Sequence, residues 1–373
     1  MTAAGGLTTG PARSAPRHAV FHPLRVADVE QLTEDSVAIT FDVPDELADA
    51  YRFTQGQHVA IRCDLGGAGV RRNYSICSPV SSGRLRIGVR RLPGGAFSSY
   101  AAERLRAGDV LEVMTPAGRF FTRLDPAHAK RYVAIAAGSG ITPVMSLLAT
   151  TLEAESLSQF TLLYGNRTTS SIMFLEELQD LKNRYRDRFS MLNFLSREQQ
   201  ESDLLSGRID AERLNRLLAT ALPPGDVDEW FLCGPFEMER QARAALAAHG
   251  VDGGHIHAEL FGVEQLSLPA PPRSRSAAAA GTSSVTVHLD GRVTTLELAR
   301  AEESLLEAVL RVRPDAPFAC KGGVCGTCRA KLVEGTVDMD RNYALEHDDL
   351  AGGYVLTCQS HPTSEKVVLD YDG

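Results

Sequence analysis

The chain has 373 residues, 43% of them hydrophobic and 23% charged, with a formal net charge of −8. At ~100–200 residues per domain this length predicts two or three domains with sizeable cores. The acidic balance argues against a nucleic-acid partner, which needs a basic surface, and no apolar run reaches the ~18 residues of a membrane-crossing helix.

Residues 1–19 are dominated by Gly, Ala, Thr and Pro and lack the continuous apolar stretch of a secretory signal. They read as a mobile tail on a cytoplasmic protein. Residues 20–125 are strand-like. Apolar or alternating runs at 36–43, 57–63, 85–89 and 110–114 are separated by Gly and Pro, with a helix expected at 99–106. Short strands at even spacing predict an antiparallel β-barrel. From 126 to 263 the rhythm changes to strand 132–137, a glycine turn and a helix from Thr142. Strand 160–164, helix 171–185, strand 189–195, helix 211–219, strand 230–233 and helix 236–249 follow. This alternation predicts an α/β domain on a parallel doubly wound sheet, with its crevice at the carboxyl ends of the strands. Residues 264–284, rich in Pro, Ser and Ala, read as a flexible linker. In 285–373, strands at 285–289, 293–298, 329–333, 354–356 and 366–370, with a helix at 304–310, frame a cysteine loop.

Seven cysteines, an odd count, disfavour a disulfide framework. Cys320, Cys325 and Cys328 follow the pattern C-x4-C-x2-C, and Cys358 follows after 29 further residues. That is plant-type [2Fe–2S] spacing. Zinc sites more often pair two C-x2-C units or add histidines. The intervening glycines let the backbone wrap closely and aim N–H groups at sulfur. CKGGVCGTC, with LTC at the fourth cysteine, resembles the ferredoxin module of ferredoxin-type oxygenase reductases, which implies a β-grasp fold.

Arg72-Asn73-Tyr74-Ser75 resembles the RxYS signature of ferredoxin–NADP reductase-type flavoproteins. The resemblance implies Tyr74 against the isoalloxazine of FAD, Ser75 at the ring edge and Arg72 on the pyrophosphate. The family's pyrophosphate turn then falls on Arg90, Gly95, Ala96, Phe97 and Ser98, where a helix N-terminus offers free N–H groups. On its own, RNYS could equally be a strand end with an arginine–carboxylate pair. His58 and Cys63 read as ordinary barrel residues, and Cys77 has no assigned role.

Gly138, Gly140, Thr142 and Pro143 lie in GSGITP, which resembles the GxGxxP nicotinamide turn of the same family rather than the dehydrogenase fingerprint. Cys233-Gly234-Pro235 resembles its CGP motif, which implies Cys233 beside the nicotinamide C4 and room for ring stacking at Gly234. No nucleophilic role is expected, since hydride transfer is a matter of orientation. Arg167, Ser196 and Arg197 end strand candidates and suit the 2′-phosphate of NADPH, with solvated surface arginines as the alternative. Glu259 and Phe261, in HAELF, are implied near the flavin face that the nicotinamide approaches.

The whole order of modules, with stretches such as AAGSGITPVMSLLATTL and FACKGGVCGTC, resembles the reductases of phenylacetyl-CoA 1,2-epoxidases. That implies an NADPH-dependent oxidoreductase carrying FAD and [2Fe–2S], serving a multicomponent oxygenase core with diiron subunits. The same architecture serves Rieske-type oxygenases such as ketosteroid hydroxylases. A self-contained diaphorase and a non-catalytic redox sensor or assembly module are further alternatives.

Overall fold

The computed structural model describes residues 19–260, 281–300, 303–345 and 347–373. The expected tail through residue 18, most of the expected linker and Phe261 lie outside the described residues.

Six antiparallel strands build the first domain: β1 (Phe21–Thr33), β2 (Ser36–Asp42), β3 (His58–Leu65), β4 (Ala68–Ser75), β5 (Leu85–Arg90) and β6 (Val110–Met114). Their order is β4-β3-β6-β1-β2-β5, and an antiparallel bridge from Ile76 to Ile87 brings the two ends of the sheet together as a barrel. Its core includes Leu24, Ile39, Val59, Ile61, Ile87 and Val113. The helix expected at 99–106 begins earlier, as α1 (Ala96–Glu103), because Gly95 already supplies its N-terminal cap.

The second domain is a parallel sheet of order β11-β10-β7-β8-β9. Its elements are β7 (Arg131–Ala137), α2 (Ile141–Ala154), β8 (Gln159–Asn166), α3 (Leu175–Arg184), β9 (Phe189–Leu195), α4 (Ala211–Thr220), β10 (Glu229–Gly234), α5 (Phe236–Ala248) and β11 (Ile256–Leu260). Helix α2 is buried from Ile141 through Leu152. A helix apolar on all sides needs neighbours on all sides, and α2 has the sheet on one face and barrel residues Ala38, Cys77 and Phe120 in the same core. The two domains therefore share a hydrophobic core. Helix α3 starts later than expected: a capping box from Thr168 to Ser171 closes a separate short turn, and Phe174 takes a left-handed φ of 59° before α3 begins.

The third domain holds β12 (Thr282–Leu289), β13 (Arg292–Ala299), α6 (Leu305–Val312), β14 (Arg329–Glu334), β15 (Val337–Met339), α7 (His347–Ala351), β16 (Tyr354–Leu356), β17 (Ser360–Pro362) and β18 (Lys366–Asp370). The mixed sheet runs β13-β12-β18-β14-β16, with α6 packed beside it. Ser304 and Glu307 form a reciprocal capping box that starts α6. Residues 282–284, expected to end the linker, belong instead to β12. Ser283 is fully buried there, and its hydroxyl donates to the Ser364 carbonyl at 2.6 Å.

Candidate redox centre

The parallel register sets Cys233 of β10 beside Ala136 of β7 and beside Glu259 of β11. The chain then turns at Gly138–Gly140 into α2. Only glycine fits at two places here. A Cβ on Gly140 would lie 2.1 Å from the Cys233 carbonyl oxygen, and one on Gly138, at φ +56°, would lie 2.9 Å from Nη1 of Arg90. The Thr142 hydroxyl donates to the Ser139 carbonyl at 3.0 Å, and its methyl packs where a Cβ on Gly88 of the barrel would stand. Pro143 sits buried in the first turn of α2, and Pro235 caps α5 directly after Gly234. Burial pushes the Cys233 thiol well above its usual range, and the charges of Glu259 and Glu239 act in the same direction. It stays a thiol near neutrality, which agrees with a contact role and not a nucleophilic one.

The barrel meets this crevice through the ends of β3, β4 and β5. The Ser75 hydroxyl donates to Oε2 of Glu259 at 3.1 Å. The Tyr74 ring lies 5.3 Å from that of Phe97, at the start of α1. Arg72 donates to the carbonyl of Arg71 at 2.8 Å, and Arg90 binds Asp35 through Nε at 2.9 Å. The Ser98 hydroxyl accepts from the Leu92 N–H at 3.1 Å and donates to the Gly95 carbonyl at 3.3 Å. It thus shapes the turn from within and leaves the first-turn N–H groups of Ala96, Phe97 and Ser98, which a helix cannot satisfy itself, for an anion. An aromatic ring, a hydroxyl, guanidinium groups and a helix N-terminus on one rim fit a flavin dinucleotide.

The four cysteines of the third domain fall into two neighbouring pairs, Cys320 with Cys325 and Cys328 with Cys358. Cys325 is held well below the usual thiol range by Cys320, which is itself pushed up, and Cys358 is held down by Cys328 in the same way. The Gly322 N–H donates to the Cys320 sulfur at 3.3 Å, and Lys321, Gly323 and Gly326 take positive φ values of 53°, 79° and 66° that turn the loop inward. Among the described residues no ligating side chains are already drawn together as a preformed cage, these thiols included. The fit lies in the donor set: two thiol pairs, one for each iron of a two-iron cluster, in a loop whose N–H groups face sulfur.

The candidates for the 2′-phosphate come from the ends of β8 and β9. The Ser196 N–H donates to the Asn166 carbonyl at 3.0 Å and that of Arg197 to the Arg167 carbonyl at 2.8 Å, so the two loops run side by side. The side chains of Arg167, Ser196 and Arg197 are all exposed at this rim.

Three family models match in the order of the three domains: an oxidoreductase FAD-binding domain over residues 23–121, an oxidoreductase NAD-binding domain over 134–244 and a 2Fe-2S iron-sulfur cluster binding domain over 287–363. A subunit of the 1,2-phenylacetyl-CoA epoxidase of Escherichia coli (strain K12) is 47% identical, with 94% of this chain and 98% of that protein covered. The chain belongs to this family of FAD- and [2Fe–2S]-bearing oxygenase reductases. The ferredoxin reductase component of 3-ketosteroid-9-alpha-monooxygenase from Mycobacterium tuberculosis (strain CDC 1551 / Oshkosh) is 34% identical, with 94% and 95% covered. Among solved structures, phthalate dioxygenase reductase matches with a TM-score of 0.56 at 25% identity, covering 94% of this chain and 98% of that one. An intact type IV self-sufficient cytochrome P450 monooxygenase matches with a TM-score of 0.67 at 25% identity, covering 94% of this chain and 41% of that one.

In this reductase the cysteine loop is seated on the barrel. Cys325 and Ala319 pack with Ala60, Met114 and Ala117. The Arg71 guanidinium lies between the rings of Phe21, at 4.3 Å, and Phe318, at 3.9 Å. Buried Asp349 pairs with Arg119 of the barrel and with Arg329. One residue at this junction escapes a reading of the sequence. His58, an ordinary barrel position by its pattern, is 3% exposed and brings Nδ1 to 3.5 Å from Oε1 of Glu259. It shares the strand face of Ala60 and Arg62, opposite the barrel-core residues Val59 and Ile61, where the alternation gives no sign of burial. Among the described residues no helix is long and apolar enough to cross a membrane.

Proposed function

We propose that the chain is the NADPH-dependent reductase of a cytoplasmic multicomponent oxygenase whose diiron subunits epoxidise phenylacetyl-CoA. One observation carries the reading: the nicotinamide turn, the flavin rim and the cysteine loop converge on a single junction around Ser75, Glu259 and Cys325. Full-length likeness to a phenylacetyl-CoA epoxidase subunit supports the choice of partner.

When bound, FAD and the cluster supply the conversion of one hydride, two electrons together, into single electrons. The chain's residues supply orientation. Gly138 and Gly140 would admit the dinucleotide backbone at the start of α2, and Gly234 lets β10 pass close against Met238 and Ala137, where a Cβ would stand 2.6 Å from the Met238 methyl. Ser75 and Glu259 hold the rim where the two rings would meet. Arg72, Arg90 and the first turn of α1 would hold the flavin's pyrophosphate. Arg167, Ser196 and Arg197 favour a 2′-phosphate over a bare ribose, because guanidinium groups pair with phosphate oxygens. Cys320, Cys325, Cys328 and Cys358 would hold the cluster through their thiolates.

The second reading is a Rieske-type oxygenase reductase, favoured by the 34% identity to a ketosteroid monooxygenase component. Reconstituted protein supplied in parallel to both kinds of oxygenase distinguishes them by product formed per NADPH consumed.

A further inference from the structure

His58 lies where the three domains meet. Its backbone is fixed twice over: it pairs with Ser75 across β3 and β4, and exchanges hydrogen bonds of 2.8 and 2.9 Å with Ala117. Its imidazole lies against Gly118, where a Cβ would stand 2.8 Å from Nδ1 and the backbone φ is +108°. So the ring is wedged and cannot turn freely. On one side Nδ1 meets Glu259, whose other oxygen accepts from Ser75. On the other side Nε2 is buried and has no hydrogen-bond partner among the described residues. Buried polar atoms in folded chains are nearly always paired, and this one is open to a group the chain binds. Ala60, two residues along the same strand face, and Ala117 both pack with Cys325 of the third domain. A charge at Cys325 is close enough to be felt at His58.

We propose that His58 is a positioning residue for the passage of electrons from the flavin to the cluster. Nδ1 holds Glu259 in place on the flavin side, and Nε2 faces the Cys325 end of the cluster, so one ring keeps the two centres in register. This role goes beyond the choice of oxygenase and does not depend on it. As an N–H donor beside the cluster, Nε2 also stabilises the added negative charge of its reduced state, so loss of that donor lowers the cluster's potential.

Two substitutions separate the two ends of the ring. In His58→Asn the amide reaches the Nδ1 position, and in His58→Gln it reaches the Nε2 position. FAD content and cluster absorbance report that each variant is loaded. Stopped-flow absorbance resolves flavin bleaching by NADPH from cluster reduction, and an EPR-monitored redox titration gives the cluster potential. His58→Asn is expected to bleach the flavin within threefold of wild type, to slow cluster reduction at least tenfold and to shift the cluster potential to more negative values. His58→Gln is expected to keep electron transfer from flavin to cluster within threefold and the potential unchanged, and to slow flavin bleaching by NADPH at least threefold, because Glu259 loses its hold at Nδ1. Equal behaviour of the two variants would overturn the proposal, because a residue that only fills space does not distinguish them. An unchanged potential in His58→Asn would overturn it as well. If His58→Asn fails to load, His58→Leu takes its place against His58→Gln with the same expectations for transfer and potential.

Discussion

The seat of the third domain on the barrel has a perturbation of calculable size. Arg71 lies 4.3 Å from the Phe21 ring and 3.9 Å from the Phe318 ring. Burial first, then the nearby charge of Arg62, lowers its pKa to about 10, so it remains a cation at neutral pH. Its Nε has no hydrogen-bond partner among the described residues, and the two rings cover the guanidinium on both sides. A desolvated cation–π contact contributes about 2 kcal/mol. Phe318→Leu keeps apolar volume but removes one ring, on the domain that must dock. That weakens docking by up to ~30-fold, taking tenfold per 1.4 kcal/mol. Stopped-flow absorbance then shows flavin bleaching by NADPH unchanged and cluster reduction slowed by a factor up to that limit. Small-angle X-ray scattering shows a larger radius of gyration as the undocked fraction grows. If Phe318→Leu leaves both cluster reduction and scattering as in wild type, the sandwich does not hold the seat and the reasoning fails.

Three other outcomes follow from the geometry. Gly140→Ala places a methyl group 2.1 Å from the Cys233 carbonyl oxygen, and overpacking of ~1–3 kcal/mol should weaken nicotinamide turnover by ~10–100-fold while FAD content stays at wild-type level. Arg197→Ala removes a charge-assisted contact of about 1.5–3 kcal/mol, so the ratio of kcat/KM for NADPH over NADH should fall at least ~10-fold with kcat for NADH unchanged. Glu155 is fully buried and accepts from the Asp125 N–H, His128, Tyr132 and Ser158 at 2.7–3.0 Å. Burial alone would raise its pKa, but these donors hold it below the usual carboxylate range. Its contribution to stability is therefore fully present above ~4.3, the unfolded value, and is lost as pH falls through the depressed folded value. Glu155→Gln should cost about 3 kcal/mol at neutral pH and flatten the acid limb of a plot of Tm against pH.

The three domains and most elements are legible in the sequence because their apolar periods are regular. Strand β1 is not: Pro23 interrupts its pattern, and register shifts at Val26/Asp28 and Gln31/Thr33 break the alternation that marks a strand. The start of α1 is legible from the glycine turn at Gly95 and not from the apolar period, which sets in only at Ser99. The [2Fe–2S] domain can be read from the spacing of Cys320, Cys325, Cys328 and Cys358. Glu259 is legible as a strand end, but its pairing with Ser75 and His58 joins parts of the chain that only the tertiary fold brings together. The same holds for Arg71 and Phe318, which carry no local signal because each is meaningful only against the other domain. His58 escapes notice because a two-residue period says which way a side chain points and not what it meets.

Where the electrons go is the most direct test. Cluster-loaded protein with FAD and NADPH is supplied to a phenylacetyl-CoA epoxidase core and, separately, to a ketosteroid Rieske oxygenase, and product is measured per NADPH consumed. Near one-to-one coupling with the epoxidase core and little product with the other are expected. Coupling to the Rieske oxygenase alone, or to neither while small artificial acceptors are reduced, would contradict the assignment.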